Sequence, residues 1–254
     1  MPALLFDLDG TLTKYETLPA IAAKFGVEKE LAVLTDKTIR GDTPFLESFI
    51  QRVEMLSEID PNEISKLLSE VEVNQHLLQF ILENNSDCII ATGNYRGWVE
   101  QLCEKFKCEY RCSEGSLIDG KVKLSKVFIK DDLVKELKEK GEFVVFIGDG
   151  NNDTEAMRLS DVGIACGIAH QPATSLMQLC DFVIYDDKTL GTFLTQIKSE
   201  KAGLTVVVPC AGIGSRLGLG KTKALVEING KPLIKYICDY FSEIEDLRIV
   251  VGFQ

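Results

Sequence analysis

The first apolar block of the chain, Ala3 to Phe6, shows no alternation and stops abruptly at Asp7-Leu8-Asp9-Gly10-Thr11. That is the pattern of a buried strand entering a loop. From about Thr17 to Glu83 the period changes. Apolar residues recur at helical spacing in Leu18, Ile21, Ala22 and Phe25, then in Phe45, Phe49, Ile50 and Val53. Leu67, Leu68 and Val71 continue the series, as do Leu77, Phe80 and Ile81. Breakers at Gly26, Gly41-Asp42, Pro44 and Pro61 divide the stretch into four or five helices.

Strand character returns at Asp87 to Ala91, and Thr92-Gly93-Asn94 reads as the turn after it. Trp98 to Phe106 has helical spacing. Glu109 to Leu124 carries the hairpin signal Ile118-Asp119-Gly120-Lys121. A helix over Asp131 to Lys140 precedes a strand over Phe143 to Ile147, which ends at Gly148-Asp149-Gly150. A helix over Thr154 to Leu159 and strands over Val162 to Ala165 and Phe182 to Tyr185 complete the pattern. Strands alternating with helices predict an α/β fold: a Rossmann-like, doubly wound parallel sheet. The helical stretch interrupts that alternation and is expected to be an inserted α-helical cap. We therefore expect one domain over residues 1–200, with a core of 1–13 and 83–200 and a cap of 14–82. A new buried strand at Leu204 to Val208 opens a partial second α/β domain over 201–254, about fifty residues of it.

Composition narrows the function. The 254 residues carry 39 acidic and 28 basic side chains, a net charge of −11. Such a surface disfavours nucleic acid and anionic membrane as partners. A phosphate-bearing substrate would then need local positive help. Eight cysteines (88, 103, 108, 112, 166, 180, 210 and 238) include no CxxC pair. The cluster Cys103, Cys108 and Cys112 has no histidine nearby, which favours free thiols over a zinc site. Free thiols, no signal segment ahead of the first strand and no apolar run near the roughly 20 residues of a membrane span point to the cytoplasm.

The chemistry-bearing residues follow predicted strands. Asp7 and Asp9 follow the first, Thr92 the second, and Asp149 and Asp153 a later one. In an open α/β sheet these carboxyl ends share one edge. A carboxylate such as Asp7 can attack phosphorus and form an aspartyl-phosphate. Bringing two anions together calls for a cation, and Mg²⁺ prefers oxygen ligands. Asp7 and Asp149 offer side chains to it, Asp9 a backbone carbonyl, and Asp153 a means of orienting bound waters. Asp9 is placed to protonate the leaving alkoxide and then deprotonate the attacking water. Thr92, Gly93 and Asn152 are expected around the phosphoryl oxygens, and Lys130 to stabilise the transferring group. Each motif alone has an ordinary reading: a solvated turn, a polar loop, a surface lysine. Their order and joint placement behind apolar strands carry the case.

Residues 1–200 resemble the haloacid dehalogenase superfamily of phosphatases. Asp7-Leu8-Asp9-Gly10-Thr11 resembles its first motif, Thr92 its second, Lys130 its third, and Gly148-Asp149-Gly150-Asn151-Asn152-Asp153 its fourth. Lys126 competes with Lys130 for the third role. The resemblance implies Asp7 as nucleophile and Asp9 as acid/base. A helical insert between the first two motifs is similar to the phosphoserine phosphatase branch. That likeness implies Glu16 at a substrate amine, Arg52 at its carboxylate and Phe45 at an apolar cap position. One departure stands out: Thr92-Gly93-Asn94-Tyr95 replaces a serine followed by two glycines.

The small phosphorylated metabolite expected as substrate is thus phosphoserine, with a sugar phosphate or amino-alcohol phosphate as the alternative. The C-terminal segment resembles the start of a sugar-phosphate or choline-phosphate nucleotidyltransferase, in Pro209 to Arg216 and Lys223-Ala224-Leu225. Gly212, Gly214, Arg216 and Lys223 are its implied nucleotide contacts, with an NTP or CTP site complete only in a longer fusion. A nucleotide-binding or regulatory module built on 204–254 is the reading from a different class.

Overall fold

The computed structural model describes residues 2–39, 45–198 and 223–240, without the side chains of 35–39, 45, 223, 237 and 240. The chain divides into two compact units, Met1–Phe193 and Leu194–Gln254.

The first unit is built on a seven-stranded sheet of order β4-β3-β2-β1-β5-β6-β7. Its strands are β1 (Ala3–Phe6), β2 (Cys88–Tyr95), β3 (Glu109–Ile118), β4 (Lys121–Lys126), β5 (Val144–Gly148), β6 (Val162–Cys166) and β7 (Phe182–Ile184). All neighbours pair in parallel except β3 and β4, which form the antiparallel hairpin at Asp119-Gly120. Both turn residues have positive φ (52° and 75°), the backbone that an Asp-Gly hairpin turn supplies at little steric cost. Central strands covered on both faces must be apolar throughout. Leu4, Leu5 and Phe6 of β1 and Val144 to Ile147 of β5 are accordingly fully buried.

Among the described residues, five α-helices stand between β1 and β2: α1 (Thr17–Phe25), α2 (Glu28–Ile39), α3 (Phe45–Leu56), α4 (Pro61–Ser69) and α5 (Gln75–Glu83). Local chemistry sets their ends. Gly26 closes α1 in the left-handed region, and Asp60 accepts the Asn62 N–H at the start of α4, with Pro61 at its first position. The insert leaves and rejoins the core at a narrow neck. Thr13 bridges Val73, the Lys14 N–H donates to the Glu72 carbonyl, and the Asn74 N–H donates to the Leu12 carbonyl.

After β2 come α6 (Arg96–Cys103), α7 (Lys130–Glu139), α8 (Thr154–Leu159), α9 (Thr174–Met177) and α10 (Asp187–Lys198). Leu133, Val134 and Leu137 of α7 join Leu5, Phe146, Met157 and Leu176 in one buried cluster against the sheet. This packing fixes where α7 begins, and so where Lys130 sits.

The structure corrects the reading of residues 92–94. They are no turn after a short strand; β2 runs on to Tyr95. Tyr95 pairs with Ser113 of β3, and the register slips between Ala91 and Tyr95. The segment therefore bulges within the sheet while the partner strand continues beside it. A single sequence shows the Gly-Asn turn signal but not that partner.

In the second unit, residues 223–240 form a small hairpin, β8 (Glu227–Ile228) and β9 (Lys231–Pro232), followed by α11 (Leu233–Tyr240). The Tyr236 hydroxyl donates to the Ile228 carbonyl at 2.7 Å and ties the two together. Among the described residues, every cysteine is a free thiol, and no helix is long and apolar enough to cross a membrane.

Candidate active site

Asp7 follows the last residue of β1, and Asp149 the last residue of the neighbouring β5. Their side chains meet beyond the carboxyl edge of the sheet. Lys130 reaches the same point from the first turn of α7. Its Nζ lies 2.6 Å from Asp7 Oδ1 and 2.5 Å from Asp153 Oδ1, and all three side chains are buried. Lys126 is exposed on β4. Burial alone pulls Lys130 down, but the charges of Asp153 and Asp7 outweigh it and hold the ammonium above its ordinary pKa.

The carboxylates are fixed one by one. The Leu8 N–H donates to Asp7 Oδ1 at 2.7 Å. The Thr11 hydroxyl donates to Asp149 Oδ1 at 2.8 Å. Asp153 Oδ2 accepts the backbone N–H groups of Asp149 and Gly150 at 3.1 and 3.0 Å. Gly10, at φ +67°, passes so near that a Cβ there would lie 2.6 Å from Asp149 Oδ2. Only glycine allows both that backbone and that approach.

Asp9 is held by a separate pair of donors. Its Oδ1 accepts the Thr17 N–H at 3.0 Å at the head of α1, and its Oδ2 accepts Asn94 Nδ2 at 2.5 Å. Its carboxylate is engaged there, so the backbone carbonyl is its remaining group for a metal. Thr92 is buried, and its Oγ1 accepts the Asn94 N–H at 3.2 Å. The Ser113 hydroxyl donates to the Gly93 carbonyl at 2.6 Å and accepts the Phe128 N–H at 3.0 Å. One serine thus braces the β2 bulge against the segment that leads into Lys130.

The electrostatics are those of crowded, buried anions. Asp7 is pushed well above the usual carboxylate range by burial and by the charges of Asp153 and Asp149, against the pull of Lys130. Burial, Asp153 and Glu16 push Asp149 to about 7. Burial also raises Asp9, opposed by its bonds to Thr17 and Asn94. Carboxylate oxygens of Asp7, Asp149 and Asp153 come within 4.8 Å of one another. One lysine cannot neutralise three buried carboxylates, and the donor set is entirely oxygen. That fits a hard divalent cation such as Mg²⁺.

Among the described residues, cysteines belong to neither group of side chains close enough to share a metal. The second such group is Glu16, Asp149 and His170. His170 was not foreseen. Its Nε2 stands 3.0 Å from Asp149 Oδ2 and 3.2 Å from Glu16 Oε1, and its Nδ1 3.0 Å from the Gln171 carbonyl. Thr11 and Ser113 were also missed. A hydroxyl directly after the Asp-Leu-Asp-Gly run was the one available signal for Thr11; His170 and Ser113 carried none, since their contacts are long-range.

Above these groups lies a cavity of about 100 Å³. Asp7, Asp9, Thr92, Gly93, Asp149 and Asn152 line it from the core, and Glu16, Leu18, Phe49 and Arg52 from α1, α3 and the segment before α1. Burial lowers the Arg52 pKa and raises that of Glu16. Phe49 contributes the apolar wall. The side chain of Phe45, expected there, lies outside the described residues, as do Gly212, Gly214, Arg216 and the side chain of Lys223.

The chain is 25% identical over 181 residues to a probable phosphoserine phosphatase of Schizosaccharomyces pombe, covering 64% of this chain and 60% of that one. It is 24% identical over 176 residues to a phosphoserine phosphatase of Archaeoglobus fulgidus, covering 64% and 51%. The chain thus spans less than two thirds of either relative. A phosphoserine phosphatase structure described as a phospho-aspartyl intermediate analogue superposes with a TM-score of 0.62 at 22% identity, covering 75% of this chain and 97% of that one. A hydrolase of Salmonella enterica reaches a TM-score of 0.67 at 19% identity, covering 79% and 73%. At such identities these structures speak for the fold. The family model for haloacid dehalogenase-like hydrolases matches residues 4–158, a span that takes in Asp7, Thr92, Lys130, Asp149 and Asp153, and the chain belongs to that family.

Proposed function

We propose that this chain hydrolyses small phosphomonoesters through a phosphate ester on Asp7, with phosphoserine as the preferred substrate. One observation carries the reading: a buried carboxylate, held by Lys130 and the Leu8 N–H, faces a small cavity with a second carboxylate, Asp9, beside it.

Asp7 attacks phosphorus as the ester oxygen leaves. Lys130 lies against the Asp7 carboxylate and balances charge on the transferring group. Asp9, raised by burial, holds a proton more readily than an exposed aspartate and delivers it to the leaving oxygen. It then takes a proton from the water that attacks phosphorus, which frees phosphate and restores Asp7. Thr92 and the Gly93 backbone receive the phosphoryl oxygens. Mg²⁺ held by Asp7, Asp149 and the Asp9 carbonyl would reduce the repulsion between Asp7 and the phosphate.

Above the phosphate, the wall offers one cation, Arg52, and one anion, Glu16. An α-amino acid ester presents the opposite pair. Arg52 suits its carboxylate and Glu16 its ammonium.

Phosphate release with Mg²⁺ from phosphoserine, phosphoethanolamine, phosphocholine and several sugar phosphates tests both parts. A lead for phosphoserine of tenfold or more in kcat/KM is the expected outcome. A lead for another ester keeps the chemistry and removes the Glu16 and Arg52 assignment. No release from any ester, with Asp7→Asn indistinguishable from the parent, removes the whole reading.

A further inference from the structure

The segment between β6 and α9, residues 167–173, lines no part of the catalytic cavity. It nevertheless carries a side chain that touches both the floor and the wall of it. His170 Nε2 lies 3.0 Å from Asp149 Oδ2 and 3.2 Å from Glu16 Oε1, and Nδ1 faces the Gln171 carbonyl at 3.0 Å. All three neighbours are acceptors. Both ring nitrogens therefore donate, and the Nε2–H is shared between the two carboxylates.

The segment is anchored independently of that ring. At its start the Gly167 N–H donates to the Ile184 carbonyl at 2.8 Å, and at its end the Ala173 N–H donates to the Asp149 carbonyl at 2.8 Å. Between them, Gln171 Nε2 donates to the Tyr185 hydroxyl at 3.0 Å. The ring also sits close over the loop after β1: a Cβ on Gly10 would lie 3.0 Å from His170 Nε2.

A half-exposed histidine beside carboxylates is commonly a surface ion pair of little consequence, and that is the plain alternative. Two observations set this one apart. The anchored segment brings the ring to Glu16 with little further loss of freedom. Glu16, for its part, lines the catalytic cavity and directly precedes α1, yet its carboxylate makes no capping bond to that helix. A glutamate not held by its own helix samples several rotamers, and the contact with His170 selects among them.

We propose that His170 is a positioning residue for substrate selection: it holds Glu16 by Oε1 and leaves the second carboxylate oxygen to the substrate ammonium. This role rests on the ammonium-binding part proposed for Glu16. Phosphoserine is compared with 3-phosphonooxypropanoate, the same ester with hydrogen in place of the ammonium. In His170→Ala the discrimination between them in kcat/KM should fall about tenfold, through KM for phosphoserine rather than through kcat. His170→Gln, whose amide offers an N–H near the place of Nε2, should restore most of it. Adding His170→Ala to Glu16→Gln should cost no further discrimination. Discrimination lost in Glu16→Gln but intact in His170→Ala overturns the role of His170 alone. Esters handled alike by the parent, or discrimination that survives Glu16→Gln, overturn the Glu16 assignment and the role of His170 with it. An equal fall for both esters in His170→Ala, with half-saturation by Mg²⁺ raised, would mean that the ring acts on Asp149 instead and overturns the proposal.

Discussion

The floor and the wall of the catalytic cavity are made differently. On the floor, Asp7, Thr92 and Asp149 are buried, with Lys130 and Asp153 buried beside them, and each of the five is pinned by a backbone amide, a hydroxyl or an opposite charge. On the wall, Glu16 is half-exposed, and it meets His170, which is outside the cavity lining and 154 positions away, at 3.2 Å. The floor holds its charged groups in a fixed geometry. The wall presents charges that a substrate can engage and that substitution can change at little structural cost. Under the proposed function, chemistry and specificity are separable in the same cavity.

Substitutions sharpen that separation. The largest effect is expected for Asp7→Asn, which removes the attacking oxyanion: kcat should fall at least about 10⁴-fold with every ester, read as initial rates of phosphate release. Lys130→Met comes next. Losing a charge aimed at the transferring group should cost about 10²- to 10³-fold in kcat, again whatever the substrate. The same variant leaves Asp7 and Asp153 without their counter-charge, so its Tm should drop below that of the parent.

Arg52→Ala belongs to the wall. A charge-assisted bond contributes about 1.5–3 kcal/mol, so KM for phosphoserine should rise about 10- to 100-fold. KM for an ester lacking a carboxylate should move little. An equal rise for both would place Arg52 with the floor and break the comparison.

Metal addition gives a smaller, thermodynamic signal. Asp149 in the folded chain titrates at about 7, above its ordinary 3.8. With the folded value raised, its contribution to stability is complete below about 3.8 and is lost as pH rises through about 7. A cation held by the ionised carboxylates offsets that loss. The rise in Tm on adding Mg²⁺ should therefore grow between pH 5 and pH 7.5, as differential scanning calorimetry would record. A constant increment across that range would contradict the buried-anion account.

The smallest effect is expected for Asn94→Gly. It removes the bond to Asp9 Oδ2 but leaves the Thr17 N–H on Oδ1, so kcat should fall only a few-fold.

The floor was legible in the sequence because each of its parts is local. An apolar strand followed by an aspartate pair, or by Gly-Asp-Gly, carries its position with it, and parallel pairing then gathers the strand ends at one edge. Lys130 was harder. Its choice over Lys126 depends on where α7 starts, which the packing of Leu133, Val134 and Leu137 decides. The bulge at residues 92–94 was misread because β3 running alongside extends the strand to Tyr95. His170 was invisible. Nothing local marks a residue whose partners are Asp149 and Glu16, and those contacts form only once the segment between β6 and α9 is in place.

The most direct test of the central claim is a rapid acid quench of the protein during turnover of phosphoserine with Mg²⁺, followed by mass spectrometry of its tryptic peptides. The account predicts a phosphoryl increment on the peptide of residues 1–14, lost in Asp7→Asn and retained in Arg52→Ala once the ester is raised to saturation. Steady turnover with no covalent phosphate, or phosphate on a peptide without Asp7, would contradict it.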